Sequence, residues 1–121
     1  MSKKMESLEK LAIAKIAEFP ELAGYTFGYC KRIDPKRLRR YGQFSTKIKR
    51  IEISPTFIDL SPDEAIWDTV LHEIAHALAD ARTYRPCGHN SVWKKICVEI
   101  GAKPTRYSGF SLSKYLKDQK K

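Results

Sequence analysis

A chain of 121 residues, 42% of them hydrophobic, is long enough for one modest core and too apolar for wholesale disorder. Its net charge of +9 is unevenly placed: residues 31–50 hold nine Lys/Arg against Asp34 alone, residues 103–121 hold six against Asp118, and residues 52–81 hold seven acids and no Lys or Arg. The apolar runs are far too short for a membrane span, and three cysteines (Cys30, Cys87, Cys97) without a CxxC pair argue against a disulfide framework or a zinc ribbon.

These features predict a single domain over 1–121 in a reducing cytoplasm. Lys15 and Glu18 interrupt the apolar stretch that a secretion signal would need. Two basic blocks around an acidic middle point to an anionic partner, most simply nucleic acid, against the plainer reading of a solvated surface.

Residues 5–19 carry Leu8, Leu11, Ala12, Ile16 and Phe19 at helical spacing and stop at Pro20. A docking helix is expected; Glu6, Glu9 and Glu18 oppose an anionic membrane surface. Residues 25–33 read as a strand, broken by Asp34-Pro35. Residues 44–54 read as one or two strands. Phe44, Thr46 and Ile48 alternate in one register and Ile51 and Ile53 in another, so a bulge or bend falls near Lys49-Arg50. A short antiparallel sheet follows. The stretch Lys47–Ser54 is either its interior or an edge to which an extended peptide could add.

Ser61-Pro62-Asp63-Glu64 has the form of a helix start, with Ser61 as cap, Pro62 at the first helical position and Glu64 completing a capping box. Ile66, Trp67, Val70, Leu71, Ile74, Ala75 and Leu78 give this helix a broad apolar face. It should be central and end near 82–84, before Pro86. A further helix over 91–100 turns Val92, Trp93, Ile96, Cys97 and Ile100 inward and stops at Gly101. Leu112, Tyr115 and Leu116 allow a last turn or two in the basic tail.

The central helix contains His72-Glu73-Ile74-Ala75-His76, an HExxH motif. Residues four apart lie about 40° apart around a helix and about 6 Å along it, so both imidazoles can bind one metal ion. Glu73 lies about 100° round from His72, placed to take a proton from a metal-activated water rather than to be a ligand. The alternative is two histidines satisfied on a polar face, but this face is otherwise apolar. A catalytic zinc needs a third protein ligand and an open position. His89, the chain's one other histidine, is the preferred third ligand. Glu99, Asp80 and Cys87 are alternatives, and Asp80 could instead orient an imidazole. Arg82 and Ala79 stand where HExxHxxGxxH would need His and Gly, which excludes that arrangement.

The stretch 51–106 resembles the SprT-like metallopeptidase domain, the zincin group that includes the DNA–protein crosslink protease Spartan. The matching pieces are Ser54-Pro55-Thr56 after a strand, the proline-started helix with Leu71-His72-Glu73-Ile74-Ala75-His76-Ala77-Leu78, and Gly88-His89-Asn90-Ser91-Val92-Trp93-Lys94, then Gly101 and Arg106. The resemblance implies an α+β, minimal zincin-like domain whose short sheet packs on the HExxH helix. It implies one Zn2+ held by His72, His76 and His89, with Glu73 as general base for peptide-bond hydrolysis. Protein or peptide substrates are implied; DNA-associated ones among them are expected from the two basic blocks and not from the resemblance, and no membrane is expected from the short apolar runs. Asn90 departs from the family pattern, which has glycine there; Asn tolerates a left-handed backbone, so the turn is expected to survive. The paired cysteines of a C-terminal zinc ribbon are not in this sequence. Trp67 and Trp93 are expected in the core, Trp93 also walling the metal pocket, and Tyr107 is a candidate oxyanion donor. The alternative function is a nucleic-acid-binding module whose zinc is structural, closed by Cys87 or Asp80 at the fourth position.

Overall fold

The structure is a computed structural model that describes residues 2–32, 34–38, 40–105 and 111–119. Five helices and three strands are described: α1 (Lys3–Ala17), β1 (Thr26–Tyr29), β2 (Gly42–Ser45), β3 (Arg50–Ile53), α2 (Pro55–Leu60), α3 (Asp63–Thr83), α4 (Ser91–Ile100) and α5 (Leu112–Gln119). Two single 3₁₀ turns lie between α1 and β2. The fold is mixed α+β, as expected.

The sheet differs from expectation. Its order is β1-β3-β2, with β2 antiparallel to β3 and β1 parallel to it. The predicted all-antiparallel sheet is therefore a mixed one. Residues 44–54 form a hairpin with Lys49 at φ 51°, so β2 folds to the outer side of β3 and β1 takes the remaining side. The path of residues 30–41 decides the direction of that last pairing, and side-chain alternation carries no record of it. β3 is consequently central, so of the two readings of Lys47–Ser54 the interior strand is the one found: Arg50–Ile53 is paired on both sides, which leaves no edge there for an added peptide. Ile51 and Ile53 point into the core, fully buried, with Phe27 and Phe44 beside Ile51 on the same face. On the opposite face Glu52 accepts from Gln43 Nε2 at 2.7 Å and Arg50 Nε at 3.0 Å.

β2 lies against α3, and Gly42 permits the approach. A Cβ there would sit 2.8 Å from Ile53 Cδ1 and 3.2 Å from Thr69 Cγ2. α1 covers the same core with Met5, Leu8, Ala12 and Ile16; Leu11, expected inward, is 59% exposed. Successive helical residues lie about 100° apart, so with Leu8 and Ala12 inward Leu11 falls at the stripe's margin.

The start of α3 also differs. Ser54 caps the short α2, accepting from Phe57 N at 3.3 Å, and Ser61 closes that helix instead of opening the next. α3 begins with Pro62 as its cap residue and no side-chain cap bond, so the predicted capping box does not form. The Ser61 carbonyl accepts from Lys4 Nζ at 2.8 Å, fastening α1 to the α2–α3 corner. The far end is as expected: α3 stops at Thr83, with Tyr84 left-handed at φ 57°, because Pro86 disfavours helical backbone at Arg85. α4 occupies its predicted span, burying Trp93, Ile96 and Cys97, with Val92 and Ile100 partly covered. Trp93 is in the core; Trp67 is only half-buried. Leu112 of α5 is buried and its N–H donates to Tyr41 Oη at 3.0 Å.

Among the described residues, no helix is long and apolar enough to cross a membrane.

Candidate metal centre

α3 carries eleven buried residues, so the groups on its inner face are held in a low-dielectric setting by the core itself. His72, Glu73 and His76 lie in its middle. Glu73 is 7% exposed and His76 6% exposed. His89 arrives from the segment between α3 and α4 and meets both histidines. Its Nε2 is 3.1 Å from His76 Nε2 and 3.4 Å from His72 Nε2, and His76 and His72 are 3.1 Å apart.

These three contacts cannot all be hydrogen bonds. A ring nitrogen is either an N–H donor or a lone-pair acceptor, so among three mutually touching nitrogens at least two have the same character. A cation at the focus satisfies all three as acceptors. Tetrahedral zinc, with bonds of about 2.0–2.1 Å, spaces its nitrogen ligands by about 3.3–3.4 Å. The separations of 3.1, 3.1 and 3.4 Å fit that spacing within a few tenths of an ångström. Imidazole donors suit zinc as well as copper, iron or nickel. His72, His76 and His89 can thus hold a metal ion, and no Cys, Asp or Glu joins them among the described residues.

Aromatic rings fix the imidazoles. Trp93 lies with its ring centroid 4.8 Å from His72, 5.1 Å from His76 and 4.6 Å from His89. It walls the site from behind, as expected. Phe44 of β2 stacks on His76 with centroids 5.1 Å apart. His76 is therefore clamped between Phe44 and Trp93. The alternation around Phe44 marked it as inward-facing, but nothing in the sequence paired it with a particular histidine.

Burial tunes the charges. It pushes His72 down to about 4, helped by the nearby His89, and His76 down to about 3, helped by both neighbouring rings. Both rings are neutral at physiological pH, the form that ligates metals. His76 Nδ1 is buried without a well-formed hydrogen bond; the Gly88 backbone is close enough to favour the charged ring slightly. Burial raises the Glu73 carboxyl to about 7, with Arg40 pulling it the other way. Its Oε1 lies 4.0 Å from His72 Nε2, beside the histidine cluster but outside it. Arg40 is a neighbour that sequence spacing could not assign.

The alternative donors serve other purposes. Asp80 Oδ1 accepts from the Cys87 N–H at 2.9 Å, so Asp80 holds the loop and not an imidazole. Cys87 is buried, with Sγ 3.1 Å from Thr83 Oγ1 and 3.6 Å from the Ala79 carbonyl. Glu99 pairs with Arg82 at 3.3 Å, and Arg82 also reaches Glu21 at 2.7 Å. The departure at Asn90 is resolved differently from expectation. Gly88 takes the left-handed backbone (φ 56°), while Asn90 is extended and caps α4, its Oδ1 accepting from Trp93 N at 3.2 Å. Asn provides the side-chain acceptor that glycine lacks. Tyr107, the candidate oxyanion donor, and Arg106 lie outside the described residues.

Against known proteins, the SprT-like family model matches residues 15–115, a span that takes in β1–β3, the three histidines and the start of α5. No curated protein and no solved structure matches the chain significantly. With a match over most of its length and a histidine cluster able to hold a metal ion, the chain belongs to the SprT-like family.

Proposed function

We propose that the chain is a zinc-dependent metallopeptidase, a single zincin-like domain in which His72, His76 and His89 hold one Zn2+ and Glu73 is the general base. The observation that carries this reading is a ring of three histidine donors, with no fourth protein donor among the described residues, beside a buried carboxylate. A catalytic site keeps a position open in this way. Zinc, when bound, acidifies a water and polarises the scissile carbonyl.

The chain's own groups do the rest. Glu73 takes the proton of the attacking water at its carboxylate and passes it to the leaving amine. A carboxyl lifted to about 7 by burial is matched to that exchange near neutral pH. The Phe44–His76–Trp93 stack holds the central ligand in one orientation, and fully buried Trp93 keeps solvent from the rear. Lys31, Arg32, Arg37, Arg40, Lys47 and Lys49 are exposed on the segment leading into and out of β2, which favours substrates associated with nucleic acid.

The second reading, a nucleic-acid-binding module with a structural zinc, requires a closed fourth position. The donors it would use are engaged elsewhere: Asp80 Oδ1 accepts from the Cys87 backbone N–H, and Cys87 Sγ lies against Thr83 Oγ1 and the Ala79 carbonyl, so neither joins the three histidines.

The test is Glu73→Gln beside the parent chain. The variant is expected to keep one zinc per chain and to lose cleavage of an unfolded or DNA-bound protein. Cleavage at the parent rate would show that Glu73 is not the base. His89→Ala is expected to lose the metal.

A further inference from the structure

The third histidine is delivered by a loop, and something must set where that loop stops. Residues 84–90 join the end of α3 to the start of α4. Two residues before His89, the Cys87 N–H donates to Asp80 Oδ1 at 2.9 Å. The Cys87 side chain is buried against the last turn of α3, 3.1 Å from Thr83 Oγ1 and 3.6 Å from the Ala79 carbonyl. The Thr83 hydroxyl gives its one proton to that carbonyl at 2.8 Å and its oxygen can accept from the Cys87 S–H at 3.1 Å, so it ties helix and loop together. The Cys87 carbonyl accepts from Asn90 N at 3.2 Å, and Asn90 is fixed in turn as the α4 cap.

His89 is therefore bracketed by two anchored residues, Cys87 before it and Asn90 after it. Asp80 lies one helical turn beyond His76, on the helix that carries His72 and His76. The same rigid rod thus presents two histidines and holds the loop that presents the third. We propose that Asp80, with Thr83, is a positioning residue for His89: by clasping Cys87 it fixes the distance between the loop histidine and the two helix histidines.

Asp80 acts through backbone rather than through an imidazole nitrogen. Its carboxylate is a charge-assisted acceptor, and Asn in its place would keep an acceptor oxygen without the charge. Cys87 contributes an N–H, which any residue but proline supplies, and a small buried side chain that fills the notch between Ala79 and Thr83. The inference rests on reading the three histidines as metal ligands.

The experiment measures Zn2+ affinity of the full chain by competition with a chromophoric chelator, and the visible absorption of the Co2+-substituted form. Outer-shell changes at metal sites lower affinity by about 10–100-fold. Asp80→Ala is expected to weaken Zn2+ by about tenfold or more, and to alter the Co2+ spectrum as His89 moves. Asp80→Asn is expected to restore most of the affinity. Ile16→Val, a trimming of the remote core on α1, controls for general loss of stability; it is expected to lower the melting temperature and leave the affinity and spectrum unchanged. Thr83→Val removes the hydroxyl at nearly constant shape, tests the same clasp should Asp80→Ala not fold, and is expected to weaken Zn2+ measurably. Parent affinity and an unaltered spectrum in the folded Asp80→Ala and Thr83→Val variants would overturn the positioning role while leaving the metal site intact. A parent chain that binds neither Zn2+ nor Co2+ would overturn the metal site itself, and the inference with it.

Discussion

Phe44 lies flat on His76, their ring planes 3° from parallel and their centroids 5.1 Å apart. The contact joins the edge strand of the sheet to the middle of α3. The sheet thus orients a candidate ligand as well as covering the core.

That contact is open to mutation. Phe44 is half-buried, so Phe44→Ala should cost less than the roughly 3–5 kcal/mol of a fully buried Phe. A loss of about 1–2 kcal/mol is expected, read as a lower denaturation midpoint. Zinc affinity is expected to fall as well, because His76 keeps only Trp93 as a stacking partner. Phe44→Leu should recover most of the stability and less of the affinity.

Tyr84 offers a gain. It closes α3 in the left-handed region at φ 57° while its side chain is 95% exposed, so nothing it packs against offsets the strain. Left-handed backbone costs an ordinary residue roughly 1–2 kcal/mol, and glycine avoids that at the cost of some entropy. Tyr84→Gly is expected to stabilise the chain by about 0.5–1 kcal/mol, visible as a higher melting temperature with zinc affinity unchanged.

Acid should act on the metal-stripped chain through two histidines. Unfolded, His72 and His76 take up protons near 6.5; folded, they refuse them until about 4 and about 3. Between those values the unfolded state binds two more protons, so these rings withdraw stability as pH falls below 6.5. Glu73 works in the opposite sense, since its folded carboxyl holds a proton up to about 7 and its unfolded one only to about 4.5. Two groups against one leave a net loss on acidification. Arg82 holds Glu21, and Gln43 with Arg50 hold Glu52, below the ordinary carboxylate value of 4.5, so these two add their loss only below that value. The expected result is a melting temperature, with chelator present, that drops from pH 6.5 to pH 5. Glu73→Gln is expected to steepen the drop by removing the opposing group.

Binding to nucleic acid, where it rests on the two basic blocks, should be an ionic-strength effect. Log affinity is expected to fall linearly with log salt, and replacing Lys31, Arg37 or Lys47 singly should reduce the slope by about one contact each. Affinity that is indifferent to salt, or absent at low salt, would assign the blocks to solubility.

The candidate site was legible early because its signal is local. One helical turn separates His72 from His76, and a helix is a rigid ruler, so spacing alone brings those rings to one face. The spans of α3 and α4 were readable from their apolar periodicity, from Pro86 and from Gly101. The expected cap at Ser61 does not form because Ser61 is taken up as the C-cap of the short α2, which Ser54 opens, and α3 starts one residue later with Pro62 as its cap residue.

The chain's sequence by itself determined an amphipathic rod bearing two imidazoles and a carboxylate, a third imidazole at a compatible distance along the chain, and strands rich enough in apolar residues to cover the rod. Only the tertiary structure decided that β1 runs parallel to β3, that Phe44 and Trp93 clamp His76, that burial lifts Glu73 towards neutrality, and that Asp80 grips the loop carrying His89. The physical reason is range: helical periodicity is set by bonds between residues four apart, whereas strand direction, desolvation and loop anchoring depend on groups that meet only once the core has closed.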